Sequence, residues 1–202
     1  VLYRAHFHAM ELQLELARER IPFVITSGVR FFEQAHIKDV CSLLRLIVNP
    51  GDELAFIRLM GLMPKVGEKT AAKIWAALGG RCDIKDATGA RALREKLPAA
   101  ARVEWAKVEP IGAAYEKDSL ADDPGEVIFR FVKEFYDEYA VETFENYDRR
   151  KEDIDALIDF TTRFETGEAF LSEMSLLTNL DAETDMPAQG QESGIKLSTV
   201  HQ

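Results

Sequence analysis

The chain has 202 residues, 47% of them hydrophobic and 30% charged, with two cysteines and a formal net charge of −10. This is the composition of a globular protein with a real core in one large or two small domains, and no run of about 18 apolar residues offers a membrane-spanning helix. Residues 1–108 carry 17 Lys and Arg against 12 Asp and Glu, whereas residues 109–202 carry 8 against 23, so any nucleic-acid surface is expected in the first half.

In chain order, "VLYR" reads as a strand and "HAMELQLELARERI" as a helix built from good helix formers, ended by Pro22. "FVI" follows as a short buried strand. "IKDVCSLLRLIVNP" sets Ile37, Val40, Leu44 and Ile47 at helical spacing before Asn49-Pro50-Gly51 stops it. Asp52 is placed to cap the next helix, whose stripe is Phe56, Ile57 and Met60. A break at Met63-Pro64 precedes a helix over "EKTAAKIWAAL". Residues 79–102 look looser, with a helix near 89–97. Helices are then expected over 124–140, 151–165 and "EAFLSEMSLL". "NLDAETDMPAQGQES" reads as a polar loop, and "GIKLSTVHQ" ends the chain on a period of two, the mark of a half-buried strand. The expected fold is mainly α with a small α/β part, a helical insertion between pieces of an incomplete parallel sheet.

Three local features bear on chemistry. In "LMPKVGEKTAAKI" a tight turn with Gly67 joins two helices in the layout of a helix-hairpin-helix. The glycine lets backbone approach a phosphate, the N–H groups opening the second helix point at it, and Lys65, Lys69 and Lys73 add charge. A plain helix–helix turn with surface lysines fits the same letters. Tyr3-Arg4 closes the first strand, where ligands of open α/β sheets gather; a core Tyr beside a salt-bridged Arg is the simpler account. His6, His8, His36 and His201 have no Cys, Asp or Glu at ligand spacing, and Cys41 and Cys82 lack metal spacing too. With no signal-peptide pattern at its start, the chain is expected to be reduced and cytoplasmic. No Gly-rich phosphate loop, Gly-x-Ser-x-Gly or His-Glu-x-x-His occurs.

Taken together, "VLYRAHFHAMELQLEL", "IPFVITSGVRFFEQAHIKDVCSLLRLIVNPGDELAFIRLM" and "IKLSTVHQ" resemble the second motor half of UvrD/Rep/PcrA-type superfamily 1 DNA helicases. The order of blocks agrees: Tyr-Arg, Gly-x-x-Phe-Phe-Glu, Ile-Lys-Asp, Asn-Pro-x-Asp, a Gly-containing hairpin and a Thr-x-His strand. The likeness is strong over residues 1–75 and 151–202 and weak between. It implies a piece of a longer chain that continues past "STVHQ" into an Ala-Lys-Gly-Leu-Glu motif. Residues 1–60 and 191–202 would be parts of the RecA-like subdomain 2A, and 61–190 a helical 2B-like subdomain.

The resemblance also implies roles. Tyr3 would stack on adenine and Arg4 contact the γ-phosphate of ATP, bound with Mg2+ in the parent protein. Thr199 and His201 would couple the nucleotide cleft to single-stranded DNA. Lys65, Gly67, Lys69 and Thr70 would meet duplex DNA at a single/double-strand junction. The parent would be an ATP-hydrolysing helicase of DNA repair, and this fragment alone would hold no cofactor and unwind nothing. Protein partners would use the 2B-like helices.

Departures are local. Lys65-Val66-Gly67 stands where the family has Gly-Ile-Gly, so the backbone freedom of the first glycine is expected to be lost. Ala9-Met10 replaces Ser-Arg, Gln34 replaces a frequent Arg, and His36 a Glu. Two alternatives remain: a free-standing helix-hairpin-helix DNA-binding module, and a noncatalytic helical interaction scaffold presenting the acidic second half to basic partners.

Overall fold

The computed structural model describes residues 1–3, 9, 12–13, 15–16, 18–25, 31–117, 120–184 and 194–199. Strands β1 (Leu2–Tyr3), β2 (Phe23–Ile25) and β3 (Ile195–Thr199) form a parallel sheet in the order β1-β3-β2. The last strand therefore lies between the first two. Its N-terminal half pairs with β2 (Phe23 with Ile195, Ile25 with Leu197) and its C-terminal half with β1 (Leu2 with Ser198, Tyr3 with Thr199). Parallel neighbours need long crossovers. The described residues from Ala9 to Arg18 are helical and connect β1 to β2; the helical body connects β2 to β3.

The body opens with a 3-10 turn (Phe31–Glu33) and α1 (Ala35–Val48), buried nearly all round. A helix buried on nearly every side belongs at the centre of a core. Accordingly α1 is packed by α2 (Glu53–Gly61), α6 (Pro124–Phe131), α8 (Tyr147–Thr161) and α9 (Gly167–Thr184), with its buried polar residues Asp39 and His36 lying towards α2 and α8. Between these lie α3 (Glu68–Ala77), α4 (Ala87–Lys96), α5 (Ala99–Ala114) and α7 (Asp137–Thr143). One apolar cluster runs from Tyr3, Phe23 and Leu197 of the sheet through Ile37, Leu44 and Phe56 to Trp105, Phe131 and Phe170. The mainly helical architecture with a small parallel sheet is as expected.

Four elements differ from the expectation. Helix α5 was not anticipated, because Pro110 removes a backbone donor and Gly112 weakens propensity. Gly112 is there for space, since a Cβ would lie 2.8 Å from the Ile84 carbonyl oxygen. The helix expected over 124–140 is interrupted by a π-helical turn, Val132–Tyr136, which turns Val132, Phe135 and Tyr136 inward together. Helix α8 begins earlier, at Tyr147, whose hydroxyl donates to Asp137. Helix α9 runs on to Thr184, so residues 179–184 of the expected polar loop are helical.

The core holds polar struts. Asp39 of α1 accepts from Arg58 of α2 at 2.6 Å and from the Tyr136 hydroxyl at 3.0 Å. Burial raises its carboxyl pKa above the usual range, opposed by Arg58 and Tyr136. One turn earlier, His36 Nδ1 lies 3.0 Å from the Arg150 guanidinium and Nε2 lies 3.3 Å from Asp153 Oδ2. An arginine can only donate, so Nδ1 accepts and the ring proton sits on Nε2, facing the carboxylate.

Burial pushes both thiols, Cys41 and Cys82, up to about 12. An unfolded cysteine loses its proton near about 8.5, so above that pH the folded chain binds more protons than the unfolded one and stability falls as pH rises. Each thiol should lower the folding constant by up to about tenfold per pH unit there. Urea titrations at neutral and alkaline pH check this; equal midpoints would contradict it. At neutral pH neither thiol should react with a disulfide reagent until the chain unfolds.

Candidate nucleic-acid interface

The hairpin is assembled by local rules. Asp52 caps α2, its Oδ1 accepting from the Ala55 N–H at 2.9 Å while Oδ2 takes Arg45 Nη2 at 2.9 Å. Helix α2 buries Ala55, Phe56, Leu59 and Met60, and α3 buries Ala71, Ile74 and Trp75 against them, with the Phe56 and Trp75 rings 4.9 Å apart. Between the helices Leu62, Met63 and Val66 point inward, whereas Pro64, Lys65 and Gly67 are exposed. The Val66 N–H donates to the Met63 carbonyl at 3.2 Å, closing the turn. Hydrophobic anchors thus fix a turn whose outer face has no packing role.

Lys65 has φ +64°, in the left-handed region that glycine occupies freely. The expected loss of this conformation does not occur: the turn keeps its left-handed geometry with a lysine in place. Gly67 is the N-cap residue of α3 at φ −90° and ψ 172°, extended backbone open to any residue, and a Cβ there would meet nothing within 4 Å. The first intrahelical bonds run from the Thr70 and Ala71 N–H groups to the Gly67 carbonyl, both 2.9 Å. The N–H groups of Glu68 and Lys69 precede that ladder and face outward, as at any uncapped helix start. Lys69 and Lys73 are exposed on the same helix and Thr70 is half-buried; Glu68 is exposed as well and opposes an anion. The ensemble can hold a phosphate by backbone donors, the positive end of the α3 dipole and two or three ammonium groups. It holds no nucleophile or acid–base pair.

The second expected group lies on the sheet. Tyr3 and Thr199 are register partners on adjacent strands, β1 and β3. Tyr3 is only 7% exposed, within the core cluster, and burial raises its hydroxyl pKa. Arg4 and His201 lie outside the described residues. Among the described residues no group of His, Cys, Asp and Glu is placed to hold a metal ion, and no helix is long and apolar enough to cross a membrane.

A cleft of about 700 Å3 between α1, α2 and α9 was not anticipated; it is lined by Lys38, Asp39, Arg45 and Arg58 with Ile57 and Met174. Its charges are largely spoken for, since Arg58 binds Asp39 and Arg45 binds Asp52. The spacing of Lys38, Ser42 and Arg45 along one helix was the available signal, but it reads equally as a solvated stripe.

Residues 1–86 match the family described as UvrD-like helicase C-terminal domain. The chain is 34% identical over 79 residues to the ATP-dependent DNA helicase Rep of Escherichia coli, covering 38% of this chain and 12% of that protein. It is 38% identical over 71 residues to DNA helicase II of Escherichia coli, covering 35% and 10%. With the ATP-dependent DNA helicase PcrA of Bacillus subtilis the similarity covers 100% of this chain at 24% identity, but 29% of that protein. The chain thus spans less than a third of the length of these relatives. The matches support a fragment of a UvrD-type helicase.

Proposed function

We propose that the chain is the second-motor-lobe segment of a UvrD-type ATP-dependent DNA helicase and that its hairpin, Lys65 to Thr70, grips the phosphodiester backbone of duplex DNA at a single/double-strand junction. The observation that supports this is Gly67: it opens α3 as its N-cap residue, is exposed, and nothing lies within 4 Å of where a Cβ would stand, so the bare backbone at the helix start is open to a phosphate approaching from outside. Lys65 and Lys69 flank it, and α3 opens there.

In this reading residues 1–60 and 191–202 are parts of subdomain 2A and 61–190 a 2B-like subdomain. Tyr3 and Arg4 contribute to the ATP cleft, Arg4 as a cation beside the γ-phosphate. Thr199 and His201 carry the link to single-stranded DNA, and the pairing of β1 with β3, Tyr3 beside Thr199, supports a route between nucleotide and DNA through adjacent strands. Phosphoryl transfer draws its phosphate loop and Mg2+ ligands from elsewhere in the parent protein. The whole assembly would work in DNA repair in the cytoplasm.

A titration of fluorescein-labelled junction DNA with this chain, followed by anisotropy over a range of salt, tests the hairpin. The Lys65→Ala/Lys69→Ala double variant should bind more weakly, with the slope of log affinity against log salt shallower by about 2. Unchanged affinity and slope would remove the hairpin from the DNA surface and leave an interaction scaffold. On that second reading the exposed carboxylates Asp148, Glu152, Asp155 and Asp159, along one face of α8, would meet a basic partner.

A further inference from the structure

Helix α6, the π-helical turn Val132–Tyr136 and α7 form one continuous helical run. Its inward residues come in pairs four apart: Val127-Ile128, Phe131-Val132, Phe135-Tyr136 and Tyr139-Ala140, with only Tyr139 half-buried. An α-helix advances about 100° per residue, so a repeat of four drifts by about 40° each time and soon leaves the core. The wider π turn takes up that drift. Here the Asp137 N–H donates to the Val132 carbonyl, five residues back, where an α-helix would use Lys133. Packing thus favours the π register, and backbone hydrogen bonding favours the α one.

One buried bond ties the turn to α1. The Tyr136 hydroxyl donates to Asp39 Oδ2 at 3.0 Å, and Arg58 Nη1 of α2 holds Oδ1 at 2.6 Å. Just beyond the turn, Glu138 meets Lys107 at 2.8 Å, and Asp137 meets Lys151 at 3.1 Å and accepts from the Tyr147 hydroxyl. The two ion pairs are partly exposed and hold little. We propose that Val132–Tyr136 is a register switch latched by the Tyr136–Asp39 bond: with the latch made the run is π, and with it broken the run becomes α throughout, turning residues 137–143 by about 100°. That rotation carries Tyr139 out of the wall of the cleft between α1, α2 and α9, which Asp39 and Arg58 also line. Helix register and cleft shape are therefore coupled, whatever the hairpin binds.

Trans-hydrogen-bond couplings and amide relaxation dispersion on the isotope-labelled 202-residue chain read the register directly. In the wild type the Asp137 N–H should couple to the Val132 carbonyl, and amides of residues 133–143 should exchange on the millisecond scale with a minor form populated at about 1–10%. Tyr136→Phe, which removes only the latch hydroxyl, should move that coupling to the Lys133 carbonyl. Tyr139→Phe, which leaves the Asp39 bonds intact, should not. Deleting Glu134, an exposed residue of the turn, should make the run α with the latch kept, so that Asp137 still couples to Val132 and the exchange disappears. A Tyr136→Phe chain that keeps the Val132 coupling, even with faster amide exchange, has merely loosened and overturns the proposal. Should Tyr136→Phe fail to fold, the other two chains decide: exchange absent from the wild type, or persisting in the Glu134 deletion, overturns it.

Discussion

Replacing Gly89 by Ala is expected to cost about 3 kcal/mol or more of stability. Gly89 lies in the first turn of α4, where Asp86 caps the helix by accepting from the Thr88 and Gly89 N–H groups at 3.0 and 3.1 Å. A Cβ would sit 2.1 Å from the Asp83 carbonyl oxygen and 3.0 Å from its carbon. The obstacle is backbone and cannot swing away. It is held by the Lys85 N–H on Asp83 Oδ1 at 3.2 Å and, one residue earlier, by the Cys82 N–H on the Pro50 carbonyl at 2.8 Å. Gly61 is the natural control, since it is helical and a methyl there meets nothing within 4 Å. Gly61→Ala should stabilise by up to about 1 kcal/mol. Urea unfolding of both variants decides the matter; a Gly89→Ala chain as stable as wild type would mean that α4 does not pack on the 82–86 turn as described.

Gly67→Asp is expected to separate folding from binding with opposite signs. The extended dihedrals of Gly67 suit an N-cap, and an Asp there would accept from the first α3 N–H groups and complement the helix dipole. Stability should rise by about 0.5–1 kcal/mol. The same carboxylate would occupy the donors a phosphate needs and repel the phosphate itself, so affinity for junction DNA should fall by at least about tenfold. Thermal unfolding and anisotropy on one preparation give both readouts. A stabilised chain that binds as well as wild type would exclude the α3 N-terminus from the DNA surface.

Much of the architecture was legible because it rests on strong local signals. The alternation in "GIKLSTVHQ" and the strand character of "VLYR" anticipated β1 and β3, and Asp52 was read correctly as a helix cap. That β3 lies between β1 and β2 is a matter of long-range pairing, which no local period encodes. Helix α5 escaped because Pro110 and Gly112 look like breakers, and only the approach of Ile84 explains the glycine. The π turn escaped because Val132, Phe135 and Tyr136 are apolar and suit either helical period. Asp39 was seen as a letter in Ile-Lys-Asp, and its burial against Arg58 and Tyr136 depends on a helix almost a hundred residues away.

The hairpin was legible as a motif, from Gly67 between lysines, but its decisive properties were not. A left-handed lysine and an unobstructed glycine are facts of backbone geometry. The letters alone suggested that Lys65 had abolished the first glycine's conformation, whereas the anchors Met63 and Val66 hold the turn in it regardless. Tyr3 carries an expected role at a ligand rim, and its side chain belongs to the core cluster, which is the simpler account the letters also offered.

The central claim is that residues 65–70 are the part of this chain that touches duplex DNA. Photo-crosslinking of a bromouracil-substituted junction, followed by peptide mapping of the adducts, tests it most directly. Adducts concentrated between Leu62 and Lys73, and lost in Gly67→Asp, are the predicted result. Adducts on α8 or α9 with none in the hairpin would contradict the account.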